Sequence, residues 1–157
     1  MAMTLVDAPA VAGRELDKDN EMGEVRVTVR LTNAVDQVLV RRGQLAADQV
    51  RSLEIEALVD TGAVESVIPS AILTRLGLAA RSRRVVSLAD GSEIEVGVSE
   101  PIGFELEGRD TIEEAFICGD TVLVGQTVLE KTDLLVDCRN QRVIPNPAHP
   151  DGPVFRL

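Results

Sequence analysis

Apolar and polar side chains alternate strictly along residues 24–33. The apolar positions are Val25, Val27, Val29 and Leu31, and each is followed by an Arg or a Thr. A period of two is typical of a strand with one buried and one solvated face. The next apolar stretch, VDQVLVRRG at 35–43, is predicted to be a second strand ending in a Gly turn. The two segments are therefore expected to form a hairpin.

The segment at 51–60, RSLEIEALVD, changes its pattern along its length. It alternates at first and then becomes continuously apolar at 57–59. A strand that is apolar on both faces is entering the protein interior. This strand ends directly at Asp60-Thr61-Gly62. Asp favours turns and Gly permits positive φ, so the turn needs no function, but it could also hold a carboxylate at the floor of a cleft.

The remainder of the chain predicts short strands separated by turns. Short helices are predicted within 69–78 and over 127–131. The sequence Ala89-Asp90-Gly91-Ser92 lies between two alternating arms, which is a strong signal for a hairpin. About eight short strands with two short helices indicate an all-β fold of the barrel or sandwich type.

Length and composition are those of one domain. The chain has 157 residues, of which 45% are hydrophobic, so a sizeable core is expected. Aromatic residues make up only 2%, and the core is therefore expected to be mostly aliphatic. We expect a flexible leader at 1–22, the folded domain at 23–147 and a tail at 148–157.

The charge of the chain disfavours nucleic-acid binding. The net charge is −10, whereas nucleic-acid binding requires clustered Lys and Arg. No apolar run approaches the length of a membrane span, and the first residues lack the pattern of a signal peptide, so a cytoplasmic protein without membrane contacts is expected. His149 is the only histidine and lies in the Pro-rich stretch NPAHPDGP, where it is interpreted as a solvated loop residue. No metal site is expected.

Three ordered segments carry a resemblance to a known family. The first is ALVDTGAVESVIP at 57–69, and the last is Leu123-Val124-Gly125 with a following helix and Leu135-Val136-Asp137. Between them lies the predicted hairpin at 89–92. Together they resemble the retropepsin-like aspartic proteases, and especially the small single-domain bacterial members. The resemblance covers roughly residues 50–145.

This resemblance implies a small closed β-barrel of the retropepsin (acid protease) type with one or two short helices. It also implies a symmetric homodimer, because one chain supplies a single Asp-Thr-Gly and the family's catalysis needs two carboxylates. Asp60 of each protomer would be the catalytic residue of an endopeptidase that acts on extended peptides. No cofactor is implied.

The resemblance also assigns supporting roles. Thr61 would brace the dimer, Gly62 would allow close packing, and Ala63 would leave room beside the substrate. Gly125 would pack against the back of the Asp60 loop. The four hairpin residues Ala89, Asp90, Gly91 and Ser92 would form a flap over the bound peptide, although a plain exposed hairpin is an alternative for them.

Two other readings of the sequence stay open. The chain could be a catalytically silent retropepsin-like module for dimerisation or peptide binding. It could also be an ordinary β-barrel in which the Asp-Thr-Gly turn arose by chance, but that reading does not explain the second ordered segment. Either the first fifty residues or the final residues VFRL could close the dimer.

Overall fold

The structure is a computed structural model that describes residues 24–157. The predicted leader at 1–22 lies outside the described residues. The elements follow one another in the order β1 (Val25–Asn33), α1 (Ala34–Arg41), a 3₁₀ turn (Ala47–Gln49), β2 (Ser52–Val59), β3 (Ser66–Ile68), α2 (Ser70–Arg75), β4 (Ala80–Ser87), β5 (Glu93–Ser99), β6 (Ile102–Leu106), β7 (Arg109–Glu113), β8 (Ala115–Ile117), β9 (Leu123–Val124), α3 (Gln126–Thr132), β10 (Leu134–Asp137) and β11 (Arg142–Pro145).

Nine of the strands form one curled sheet that resembles half of a barrel. Its order is β4-β5-β8-β3-β9-β2-β1-β6-β7, and β10 and β11 form a separate two-stranded sheet. The predominantly β fold with a few short helices is therefore confirmed. The outermost strands of the large sheet are β4, which belongs to the predicted hairpin, and β7.

The prediction of a second strand at 35–43 is wrong, because this segment forms helix α1. Asn33 caps the helix, since its side-chain oxygen accepts a hydrogen bond of 2.9 Å from the backbone N–H of Asp36. The Asp36 carboxylate in turn accepts two hydrogen bonds, each of 2.9 Å, from the guanidinium of Arg51. The first turn of the helix is thus stabilised by Asn33 and Arg51, two residues that lie outside the segment 35–43.

The predicted hairpin between 24–33 and 35–43 is therefore also wrong. Strand β1 instead pairs antiparallel with β2, in a register that runs from Val25 opposite Val59 to Thr32 opposite Ser52. Helix α1 and the 3₁₀ turn form the connection between the two strands. The register places the beginning of β1 beside the end of β2, immediately before Asp60.

The core is almost entirely aliphatic. Its fully buried side chains come from the first strand, the middle of the sheet and helix α3, and they include Val29, Leu31, Ile68, Val124 and Val128. Phe104 is the one aromatic side chain in this group. Burial of this kind stabilises by roughly 25 cal/mol per Å² of apolar surface, so β9 and α3 are held firmly behind the Asp60 turn.

Strands β4 and β5 form the predicted hairpin around residues 89–92. Their register runs from Ala80 opposite Ser99 to Ser87 opposite Glu93, with an irregularity near residue 81. At the tip, Gly91 has a φ of +88° and donates its N–H to the carbonyl of Leu88. Positive φ is a conformation that glycine adopts without strain, so the turn fits the sequence.

His149 lies in a loop, as predicted, but its side chain is only partly exposed. Its side chain is 30% exposed, and its Nδ1 is hydrogen-bonded to the carboxylate of Asp133 at the end of α3. The same carboxylate accepts a hydrogen bond from the side-chain amide of Asn146. The segment after β11 is thus attached to the end of α3.

Candidate functional site

The Asp60 turn follows directly on the end of β2, where Ala57 and Leu58 are buried. Asp60 donates its backbone N–H to the carbonyl of Val124 at 2.9 Å, which continues the pairing of β2 with β9. Within the turn, Ala63 donates its N–H to the carbonyl of Asp60 at 3.2 Å. Gly62 donates its N–H to Oδ1 of the Asp60 carboxylate at 3.1 Å. The last bond is an Asx-type contact, and it fixes the orientation of the carboxylate.

Strand β9 separates the two strands that flank the turn. It runs parallel to β2, with Leu58 opposite Leu123, and antiparallel to β3, with Val67 opposite Leu123. Strands β2 and β3 therefore do not pair with each other, and the turn that joins them passes around the end of β9. This topology anchors both ends of the turn in one buried element.

Gly125 lies directly behind the turn. Its N–H donates to the hydroxyl of Ser66 at 2.9 Å, in a buried position. A Cβ atom at Gly125 would lie only 2.5 Å from the carbonyl oxygen of Glu65, a distance that real Cβ atoms do not show. The two residues after Gly125 donate their N–H groups to the carbonyls of Ala63, at 2.8 Å, and Val64, at 3.0 Å. The start of α3 thus packs against the turn and is hydrogen-bonded to it.

The structure therefore brings together Asp60, Thr61, Gly62, Ala63 and Gly125. Thr61 and Gly62 are exposed, and Asp60 and Ala63 are partly exposed. The backbone of the turn is fixed from behind, while its outer side is open to other molecules. Such an arrangement can present a carboxylate with a defined orientation, as acid–base catalysis requires.

The predicted flap residues lie on a hairpin that is separated by strand β8 from β3, the strand that follows the Asp60 turn. Ala89, Asp90, Gly91 and Ser92 are all exposed at the tip of the β4–β5 hairpin. The hairpin is joined to the turn through the sheet, because β5 pairs with β8 and β8 pairs with β3. The Asp90 carboxylate accepts hydrogen bonds from both the hydroxyl and the N–H of Ser92, and these bonds lower the pKa of Asp90.

Two residues of the site were given no role from the sequence. Ser66 belongs to the motif, and its buried hydroxyl accepts the hydrogen bond from Gly125. Thr127 has a buried hydroxyl that makes no hydrogen bond within the described residues. The sequence offers a signal for Ser66, because it is a small polar residue at the start of the apolar strand β3. It offers none for Thr127, because the burial of that hydroxyl depends on how α3 packs.

Other catalytic chemistries find little support in the described part of the chain. Burial raises the pKa of the Cys118 thiol, which disfavours the reactive thiolate. Cys138 is exposed. No group of three or more His, Cys, Asp or Glu residues within 24–157 is placed to hold a metal ion.

Comparisons with known proteins leave the family of the chain open. No protein-family model matches the sequence, and no curated protein matches it at a significant level. Among residues 24–157, no helix is long and apolar enough to cross a membrane.

Proposed function

We propose that this protein is a homodimeric aspartic endopeptidase of the retropepsin type, with Asp60 of each protomer as the catalytic residue. The observation that carries the proposal is the Asp60 turn itself. Its carboxylate is oriented by the N–H of Gly62, and the turn is held from behind by Gly125. A chance turn on the surface of a β-sheet has no need of such support. The closed barrel and the symmetric dimer belong to the same proposal.

The chemistry follows from two carboxylates held close together. They cannot both ionise at short distance, so they share one proton, and their apparent pKa values belong to the pair. The ionised carboxylate accepts a proton from a water molecule as that water attacks the scissile carbonyl carbon. The protonated carboxylate donates its proton to the carbonyl oxygen. Collapse of the resulting tetrahedral adduct breaks the C–N bond, and the amine leaves with a proton.

The dimer follows from counting carboxylates. The chain contains one Asp-Thr-Gly, and Asp120-Thr121 is followed by Val122 rather than Gly. A two-fold axis that passes beside Asp60 would supply the second carboxylate from an identical chain. The exposure of Thr61 and Gly62 supports this arrangement, because the turn presents its outer side to an approaching partner.

The substrate of such a site would be an extended peptide. It would bind between the two protomers as an added strand held by main-chain hydrogen bonds. The β4–β5 hairpin is the element that would cover it, and closure of a hairpin over the cleft would exclude water and strengthen the electrostatic interactions inside. The exposed tip at residues 89–92 supports this role, since it is free to contact a ligand.

The test is cleavage of an unfolded protein substrate between about pH 4 and 7, the range in which a shared-proton dyad operates. Wild type is compared with Asp60→Asn, which keeps the shape of the side chain and removes the acid. Asp120→Asn is the matched control, because Asp120 is an exposed Asp followed by Thr but lies outside the site. We expect cleavage by wild type and by the control, and none by Asp60→Asn. Equal cleavage by all three proteins would overturn the proposal, and a folded dimer without activity would favour the silent binding module.

A further inference from the structure

A second groove, which we call the outer groove, lies between helix α1 and the strands β1, β6 and β7. Its volume is about 270 Å³, close to the lower end of the range of small-ligand sites, which is roughly 300–1,000 Å³. None of its lining residues belongs to the Asp60 turn or to the hairpin tip at 89–92. The outer groove is therefore a separate feature of the surface, and its size suits a small ligand.

The outer groove exists because β6 has a glycine where its neighbours have side chains. In the pairing of the strands, Gly103 lies between Thr32 of β1 and Ile112 of β7. Side chains at such positions cover one face of a sheet, and a glycine leaves a gap in that cover. A Cβ atom at Gly103 would lie 3.4 Å from the Cβ of Thr32 and 3.5 Å from Oε1 of Gln37. The side-chain amide of Gln37 thus lies over the gap.

Helix α1 forms the wall above this gap, and its position is fixed. The cap from Asn33 and the two hydrogen bonds between Arg51 and Asp36 hold its first turn. The N–H of Ala34 also donates to the carbonyl of Pro101, the residue before β6, at 3.4 Å. The helix is therefore attached to both ends of the sheet region that it covers, and the outer groove keeps its shape without a ligand.

Four charged side chains, two of each sign, line the outer groove: Arg30, Arg41, Glu105 and Asp110. Glu105 and Asp110 are directly opposite each other on β6 and β7, a placement of like charges that destabilises a sheet. None of the four forms an ion pair within residues 24–157. Arg30 is opposite Glu105 but donates to the hydroxyl of Ser52 at 3.1 Å. Charges of both signs are thus available to a ligand.

This arrangement favours a ligand that carries both charges. A ligand with a single charge would be attracted by two of the side chains and repelled by the other two. The carboxylates of Glu105 and Asp110 can accept hydrogen bonds from an ammonium group, and the guanidinium of Arg41 can donate to a carboxylate. Ile112 is 49% exposed and offers an apolar surface beside them. The side-chain amide of Gln37 can both donate and accept a hydrogen bond.

We propose that the outer groove is a binding site for a small zwitterion, either a free α-amino acid or a short peptide with free termini. The ammonium group lies against Glu105 and Asp110, the carboxylate lies against Arg41, and an apolar side chain packs on Ile112. The inference goes beyond the proposed function and does not depend on it.

The first test is a titration of the full chain, followed by NMR at pH 7. The protein carries Asp60→Asn, so that a peptide probe cannot be cleaved. The probes are L-leucine and the dipeptide Leu-Leu, and we expect the amide signals of Gly103 and Ile112 to shift and to saturate. The controls, 3-methylbutylamine and 4-methylpentanoate, are leucine without its carboxylate and without its ammonium group. Each should bind at least ~10-fold more weakly, because a charge-assisted hydrogen bond is lost.

The second test removes single charges from the outer groove. Glu105→Gln and Arg41→Gln keep the approximate length of the side chain, and each should raise the dissociation constant of L-leucine about 10-fold. Arg26→Gln is the matched control, because Arg26 is also an exposed arginine of β1 but pairs with Glu24 and Glu56 and does not line the groove. It should change the constant less than about 2-fold.

Every outcome of these titrations decides the proposal. Saturation by L-leucine, by Leu-Leu or by both supports it and shows which kind of zwitterion the groove receives. Shifts that do not saturate up to the solubility limit of both probes would overturn it, and so would equal affinity for the singly charged controls or for the Glu105→Gln and Arg41→Gln proteins. Because the readout is binding and not cleavage, none of these results bears on the proposed role of Asp60.

Discussion

Replacement of Gly125 by Ala tests the support of the Asp60 turn most sharply. The added Cβ would lie 2.5 Å from the carbonyl oxygen of Glu65, 2.6 Å from its carbonyl carbon and 2.9 Å from the N–H nitrogen of Ser66. All three atoms belong to the backbone and cannot rotate away. The φ of Gly125 is −91°, which any residue adopts, so the whole effect comes from the clash.

The magnitude follows from the nature of these contacts. Overpacking costs typically about 1–3 kcal/mol, and a clash with fixed backbone belongs at the upper end, near ~3 kcal/mol. At a slope of roughly 2 kcal/mol/M, this loss lowers the urea midpoint by about 1.5 M. A shift of the turn by about 1 Å would also reduce kcat/KM about 100-fold in any protein that remains folded.

The assay is urea unfolding of wild type and Gly125→Ala, followed by cleavage kinetics under conditions where both are folded. Gly103→Ala is the matched control, because its nearest neighbour would be the Cβ of Thr32 at 3.4 Å, an ordinary contact. The control should stay within about 1 kcal/mol of wild type. A Gly125→Ala protein as stable as the control would refute the close packing of α3 against the turn.

Three further predictions concern the Asp60 turn, helix α1 and the segment after β11. Ser66→Ala should cost about 1–3 kcal/mol in urea unfolding, because the buried N–H of Gly125 loses its acceptor. Hydrogen bonds from Arg51 lower the pKa of Asp36 below its ordinary value of 3.8. The ionised carboxylate therefore stabilises the fold above pH 3.8, and this stability is lost as the pH falls through the lower pKa of the folded state. The melting temperature, measured from about pH 6 to about pH 2, should fall less steeply in Asp36→Ala than in wild type. Arg109→Met should speed amide hydrogen exchange in the segment after β11 while exchange in β1 stays unchanged, because the guanidinium no longer holds the backbone carbonyls.

Strands were predictable from the sequence where apolar and polar residues alternate, because such a strand buries one face and exposes the other. Val25, Val27, Val29 and Leu31 are buried in β1, as the period of two predicts. The segment 35–43 was mistaken for a strand because its short apolar run fits both periods. Its helix depends on the cap at Asn33 and on the contact between Asp36 and Arg51, and the second of these joins residues 15 positions apart.

The candidate site was predictable to the extent that it lies within one continuous motif. The Asp60 turn follows from the apolar strand and the Asp-Thr-Gly sequence, and the position of Gly125 behind it was expected only from the resemblance. The attachment of the segment after β11 to the end of α3 could not be predicted, because Arg109, Asp133 and His149 meet through tertiary packing. A lone histidine in a Pro-rich stretch gives no local sign of such a partner.

The central claim is that one Asp60 from each of two chains forms the catalytic pair. Mixing tests it most directly: wild type and Asp60→Asn are allowed to exchange subunits at fixed total concentration, and cleavage is followed as the proportion of wild type is varied. If the pair is shared between chains, mixed dimers are inactive and an equal mixture retains about one quarter of the wild-type activity. A linear dependence, with about one half of the activity retained in the equal mixture, would show that each chain acts alone and would contradict the account.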